Sequence, residues 1–366
     1  MHRTLRYGRD ADDFAPGAVF AHPWEVTVDQ GFVAVCAASF LDATPVYASD
    51  VAARDAGLAG RPIAPLLLLN LGLSFSVHDV SERAIAHLAY IDVRFPRPCY
   101  PGDTVRARSR VLDLRRVSTG DKGVVHVRTE VVNQDGALVC SFERKALVRG
   151  GSNRSRPREL GHDTRVGPGD DPRAPAELLA ALDAPAPPLR PGFATFWDDF
   201  EVGDVLAHEV GRTIGDAESM QLATLFRNSH PLHTDEHGSR TTSFAKTRVV
   251  YGGLVLAWVA ALSSRDTAGN ALWDLGLDEG AHAAGVLPGD TLYAASRVEA
   301  KRELGPRAGA LTLRIVGLKN APAAALLDRR GAADVFTTEL GKTEGKVPEK
   351  VVEITRTLLV RRRPSP

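Results

Sequence analysis

The sequence predicts an α+β fold built twice over in one chain, and three observations carry that reading. Two blocks of the first half recur in the second half, in the same order and nearly the same register. Each half holds one strongly apolar helical stretch followed by alternating, strand-like segments. A segment rich in Gly, Pro, Ser and Arg separates the halves. The chain length of 366 residues suggests about two domains, in line with a duplication. Lys+Arg and Asp+Glu both number 45, so the formal net charge is zero. That removes the long-range positive field on which non-specific nucleic-acid binding relies. An apolar fraction of 44% argues against extensive disorder.

The repeats are specific. Asp12-Asp13-Phe14…Gly17…Val19…Ala21-His22 recurs as Asp198-Asp199-Phe200…Gly203…Val205…Ala207-His208, an offset of 186. Pro101-Gly102-Asp103-Thr104…Ala107…Ser109-Arg110-Val111 recurs as Pro288-Gly289-Asp290-Thr291…Ala294…Ser296-Arg297-Val298, an offset of 187. Gly123 and Arg128 match Gly309 and Arg314 at 186 again. The first copy spans 10–149, the linker 150–192 and the second copy 193–363.

In order, each copy opens on an Asp-Asp-Phe turn and a short strand. Helical stretches follow at 30–41 and 216–227, then a polar loop, then the apolar helices at 66–77 and 252–264. Strands are expected at 104–111, 124–132, 291–298 and 311–316. Gly136 turns a hairpin into 138–148. Residues 176–184 can form one or two helical turns within the linker, and 320–350 read as an irregular insert peculiar to the second copy. A central apolar helix followed by a run of antiparallel strands means a sheet wrapped round a helix. The architecture is therefore a tandem, or double, hotdog.

Cys36, Cys99 and Cys140 are odd in number and widely spaced, so they read as small buried hydrophobes. The N-terminus lacks the apolar core of a signal peptide. The most apolar stretch, 63–77, is short for a membrane span and is interrupted by Pro65, Asn70 and Gly72. A soluble cytoplasmic protein is expected.

The two copies differ where chemistry would sit. The polar loop reads Asp42…Thr44-Pro45-Val46-Tyr47 in the first copy and Asn228…His230-Pro231-Leu232-His233 in the second. At neutral pH only the histidine readily takes and returns a proton. The second apolar helix starts at Tyr251-Gly252-Gly253, the first at Ala64-Pro65. A helix N-terminus offers free N–H groups and a partial positive charge, the makeup of an oxyanion hole. Proline has no N–H to give. One half thus reads as catalytic, with Gly253 as first donor and Gly252 as second. Asp42 and Tyr47 read as structural or pocket-lining. The repeated Gly-Asp-Thr reads as a turn into a strand, since it is present in both copies.

Other chemistries fit less well. His230, His233 and His237 have a metal-like spacing, but Pro231 lies inside it and no carboxylate scaffold is evident. Ser39 and Ser229 lack a nucleophile-elbow context. No metal and no cofactor are expected.

The stretch Asn228-Ser-His-Pro231-Leu232-His233-x-Asp235, with the Tyr251-Gly-Gly helix start, resembles the MaoC-like dehydratases, the R-specific enoyl-CoA hydratases. Their motif is Asp-x-Asn-Pro-Leu-His-x-Asp, so Asn228 stands at the usual Asp and His230 at the usual Asn. Within that family the Asn, the Val250-Tyr-Gly-Gly start and Gly289-Asp290-Thr291 are more similar to the mesaconyl-CoA hydratases (β-methylmalyl-CoA dehydratases). The resemblance covers all but the linker and the insert. It implies a hydro-lyase acting on an α,β-unsaturated acyl-CoA, with CoA present only as part of the substrate. His233 is then the base, Asn228 holds the water or orients the ring, and Gly253 polarises the thioester. Tyr251, Gly252 and Asp235 join the substrate-binding set. Arg227 and Arg248 are candidates to neutralise a substrate carboxylate or CoA phosphates, with Lys246 read as solvated. Asn228 suits a dicarboxylic substrate, because a second carboxylate would repel the substrate's own. A straight-chain (R)-3-hydroxyacyl-CoA or acyl-ACP dehydratase, and a non-catalytic acyl-CoA-binding protein, are the alternatives. Sheet edges that invite pairing suggest a homodimer.

Overall fold

A computed structural model describes residues 7–117, 121–152, 173–182, 195–339, 342 and 344–364, and the backbone of 159–162. The first half runs β1 (Ala18–Thr27), α1 (Gln30–Phe40), α2 (Pro45–Ala48), α3 (Asp50–Asp55), α4 (Pro65–Ser76), β2 (Ala84–Arg94), β3 (Thr104–Arg116), β4 (Lys122–Val132) and β5 (Leu138–Arg149). Between the halves come β6 (Glu159–His162) and α5 (Ala176–Ala181). The second half runs β7 (Val205–Ala207), β8 (Arg212–Thr213), α6 (Asp216–Leu225), α7 (Glu236–Thr242), α8 (Gly252–Thr267), β9 (Ala271–His282), β10 (Thr291–Glu303), β11 (Ala308–Lys319), α9 (Ala323–Arg330), α10 (Ala332–Phe336) and β12 (Lys350–Arg361).

The strands form one antiparallel sheet in the order β6-β1-β3-β4-β5-β2-β9-β12-β11-β10-β7, with β8 also on β10. From its centre the order reads β2-β5-β4-β3-β1 one way and β9-β12-β11-β10-β7 the other. This is the duplication in space, a double hotdog. The halves join where Tyr90 pairs with Gly280 and Val93 with Leu277. A Cβ at Gly280 would lie 2.4 Å from Ile354 and 3.0 Å from Tyr90, so the join needs a residue without one. All twelve residues of α4 are buried, and α8 is buried along most of its length. A helix apolar on every side belongs in a core, and here the sheet supplies it. Among the described residues no helix is long and apolar enough to cross a membrane.

Both copies share the same polar staples. His22 bridges Asp79 (3.0 Å) and Ser109 (2.7 Å), and His208 bridges Asp266 (2.7 Å) and Ser296 (2.8 Å). Both serines are fully buried, so these Ser-His-Asp sets fasten strands to helices and have no access to substrate. The Gly-Asp-Thr pair is a turn in both copies. Gly102 and Gly289 have φ of 107° and 93°, and Asp103 and Asp290 accept from the backbone N–H three residues earlier.

The expected strands lie within β3, β4, β5, β10 and β11. Among the long strands, β2, β9 and β12 are the ones that alternation does not mark. β9 is buried on both faces over its first seven residues, so it lacks a polar-out pattern. β2 carries register shifts that blur its pattern. The insert at 320–350 is more ordered than its composition suggests. Leu326, Val335, Phe336 and Val347 bury against Ala295, Val316 and Leu318 on the outer face of the sheet. The linker also contributes to the core through Ala174 and Leu178, and its remaining stretches 153–158, 163–172 and 183–194 fall outside the described residues apart from that backbone. All three cysteines are free and buried.

Candidate active site

Helix α6 stops at Leu225, and Arg227 turns the chain with a φ of 63°. That turn sends Asn228 inward, where it is 6% exposed. Its Oδ1 accepts from the His230 N–H at 3.0 Å, while its Nδ2 is buried without a partner. His230 Nδ1 then accepts from the Leu232 N–H at 3.2 Å and caps the 3₁₀ turn Pro231–His233. The proline needs no N–H partner at that first position.

His233 ends the turn. Its Nδ1 lies 2.8 Å from the Val249 carbonyl. A carbonyl can only accept, so Nδ1 carries the proton and Nε2 keeps a free lone pair. Desolvation, with His230 alongside, lowers the His233 pKa to about 4 against the partial opposition of the Val249 bond. The ring is therefore neutral at pH 7, as a base must be before it acts.

Val249 and Val250 lead into α8, with Tyr251 as its N-cap. Leu254 and Val255 donate to the Tyr251 carbonyl, but the N–H groups of Gly252 and Gly253 have no acceptor among the described residues. Both glycines are dictated by packing as well as by chemistry. A Cβ at Gly252 would sit 2.7 Å from His282 Nε2, and one at Gly253 would sit 2.2 Å from Asn70 Oδ1 on α4. The Tyr251 hydroxyl donates to the Asn70 carbonyl at 3.3 Å, which locks the two central helices together at the site. Burial pushes that phenol's pKa up, so it stays protonated.

These groups line a cavity of about 160 Å³ between the halves. Asn228, His233, Tyr251, Gly252 and Gly253 all face it. Arg227, Arg248 and Asp235 are not among its lining residues. Arg227 is exposed and stacks near Trp24. Arg248 is buried against Asp216 and Glu236. Asp235 caps α7 by accepting from the Gly238 N–H. The opposite wall comes from the first half, with His87, Tyr90 and Arg144, and β9 adds His282. Desolvation also lowers His282 to about 4, and His87 is held well below its usual range by burial, then His282 and Arg144. The sequence reading missed this wall. The signal for Arg144 is a fourth repeat, Arg144-x-x-Leu147-Val148-Arg149 against Arg356-x-x-Leu359-Val360-Arg361, displaced to an offset of 212 by the longer insert.

The comparisons with known proteins point one way. The mesaconyl-CoA hydratase family profile matches residues 2–332. The chain is 34% identical over 327 residues to a β-methylmalyl-CoA dehydratase of Chloroflexus aurantiacus, covering 88% of this chain and 91% of that one. It is 34% identical over 325 residues to a mesaconyl-CoA hydratase of Cereibacter sphaeroides, covering 86% and 90%. A solved MaoC domain dehydratase from Chloroflexus aurantiacus superposes with a TM-score of 0.79 at 29% identity, over 98% of both chains. A double-hotdog protein of Mycobacterium tuberculosis shares the fold at 23% identity, with a TM-score of 0.71 over 96% of this chain and 98% of that one.

Proposed function

The chain belongs to the mesaconyl-CoA hydratase family, and from that premise we propose that it adds water reversibly to a branched dicarboxylic acyl-CoA, interconverting mesaconyl-CoA and β-methylmalyl-CoA. The observation that carries the reading is His233, neutral, with Nδ1 tied to Val249 and Nε2 free at the cavity wall. Nε2 takes a proton from water as the water oxygen bonds to the β-carbon. The double-bond electrons move toward the thioester oxygen, where the Gly253 N–H meets the developing charge, seconded by Gly252. A proton returned to the α-carbon completes the addition. Asn228 Nδ2, buried and unpartnered, is placed to donate to the water oxygen or to the substrate.

A cavity of about 160 Å³ suits a short acyl group, since roughly 150 Å³ holds a benzene-sized ligand. That size favours a C4–C5 acyl chain over a long straight one. CoA enters only as part of the substrate, with no separate cofactor, in a cytoplasmic protein that pairs into homodimers.

The test is loss of enoyl-thioester absorbance on adding purified protein to mesaconyl-CoA and to crotonyl-CoA. Turnover of mesaconyl-CoA in clear preference supports the reading. Preference for crotonyl-CoA replaces it with the straight-chain dehydratase, and binding without turnover of either leaves an acyl-CoA-binding protein. Asn228→Asp is expected to cut the mesaconyl-to-crotonyl preference about tenfold or more, the effect of a carboxylate facing the substrate's own. An unchanged preference would remove Asn228 from the specificity account.

A further inference from the structure

Arg144 is a buried cation with no anion beside it among the described residues. It is 3% exposed and lines the same cavity as His233. Its Nη1 donates to Ser81 Oγ at 3.1 Å, and its Nη2 to Ser76 Oγ at 2.8 Å and the Ser76 carbonyl at 3.3 Å. Its Nε is buried without a partner. Every one of these acceptors is neutral, and no carboxylate pairs with Arg144 among the described residues. A charge removed from water in this way is costly unless an anion joins it.

The other half shows what completes such a site. Arg144 faces Val127 on β4, and Arg356 faces Leu313 on β11, each four residues along from a matching pair, Gly123–Val148 and Gly309–Val360. The two arginines are therefore equivalent by strand register. Two residues beyond each, Ala146 pairs with His87 on β2 and Leu358 pairs with Asp274 on β9. Asp274 grips Arg356 with both oxygens, at 2.5 and 3.0 Å. At the matching position by Arg144 stands His87, whose two ring nitrogens have no partner. One half carries its own carboxylate, and the other has replaced it with a neutral ring beside an open cavity.

We propose that Arg144, with His87, receives the free carboxylate of a dicarboxylic acyl thioester, which takes the place that Asp274 fills in the other half. The assignment names the specificity residues of the reaction proposed above and rests on that reading. A planar guanidinium suits it, since its fork matches a carboxylate as no ammonium does.

Calorimetric binding of succinyl-CoA and butyryl-CoA tests this without turnover. The two probes have the same chain length and differ in a terminal carboxylate against a methyl. Wild type is expected to prefer succinyl-CoA. Arg144→Met should lower that preference by about 30-fold or more, as truncating one partner of a buried charge pair does. Arg144→Lys should retain part of it. His87→Asp keeps Arg144 in place and installs the other half's ion pair, so it should lower the preference as well and guards against a folding defect in Arg144→Met. Equal weakening of both probes in Arg144→Met, or an undiminished preference in either Arg144→Met or His87→Asp, overturns the assignment. Failure of wild type to hydrate mesaconyl-CoA, with the binding preference intact, would instead overturn the reading of the reaction and leave the carboxylate pocket standing.

Discussion

The chain contains two versions of one site, and they differ in what is left unsatisfied. Beside α8, Asn228 Nδ2, Arg144 Nε and both nitrogens of His87 are buried without partners around a cavity. Beside α4 lies a second cavity, of about 180 Å³, lined in part by Asp42, Tyr47 and Ala64. There the polar groups satisfy one another. Asp42 accepts from Thr44 twice, Tyr47 donates to Asp274 at 3.2 Å, and Asp274 holds Arg356. Buried polar groups are normally paired, so a cluster of unpaired ones marks a place where a ligand completes the set. The difference separates a cavity ringed by unpaired polar groups from one whose polar groups close on one another.

The contrast breaks most sharply on stability. Asp274→Ala should cost about 3–5 kcal/mol, because Arg356 would stay buried with no carboxylate in contact. Chemical denaturation measures this, and a loss below about 1 kcal/mol would mean that the ion pair is not what closes the second site. Gly253→Ala is next. Its Cβ would meet Asn70 Oδ1 and the Tyr251 ring, so the start of α8 must shift, and kcat should fall about 10²–10³-fold, as for a lost oxyanion donor. The matching change, Pro65→Ala, should leave kcat within about threefold, since no N–H acts there. A kcat for Gly253→Ala near wild type would detach the helix start from catalysis.

The smallest effect is on pH. The unfolded chain binds protons at histidines near 6.5, while folded His233 and His282 refuse them down to about 4. Their contribution to stability is therefore full above 6.5 and is lost as the pH falls toward 4. The melting temperature should drop by a few degrees between pH 7 and 5, and less so in His282→Gln. By the same shift, the acid limb of kcat/KM should lie near 4 and not near 6.5. An acid limb at 6.5 would show that His233 is not held neutral by its surroundings, or is not the base.

Much of this was legible in the sequence because it is local. The Asp-Asp-Phe and Gly-Asp-Thr blocks, the all-apolar central helices and the contrast of His233 with Tyr47 sit in short contiguous stretches. What was not legible comes from across the join. His87, Tyr90 and Arg144 belong to the first half, yet they share a cavity with His233 of the second half, across the β2–β9 pairing. No spacing along the chain encodes that neighbour. The arginines assigned from sequence, Arg227 and Arg248, flank the site in number only, and a carboxylate that reached Arg248 would have to compete with Asp216 and Glu236.

If one site performs the chemistry and its copy does not, changing the side chain at equivalent positions of the two loops will have unequal effects. The most direct test is the rate of mesaconyl-CoA hydration by His233→Ala and by Tyr47→Phe, each against wild type. The expected loss is about 10³-fold for His233→Ala, within the span of general acid–base catalysis, and the change for Tyr47→Phe is expected to stay below about threefold. A His233→Ala enzyme near the wild-type rate, or a Tyr47→Phe enzyme with a comparable loss, would contradict that asymmetry.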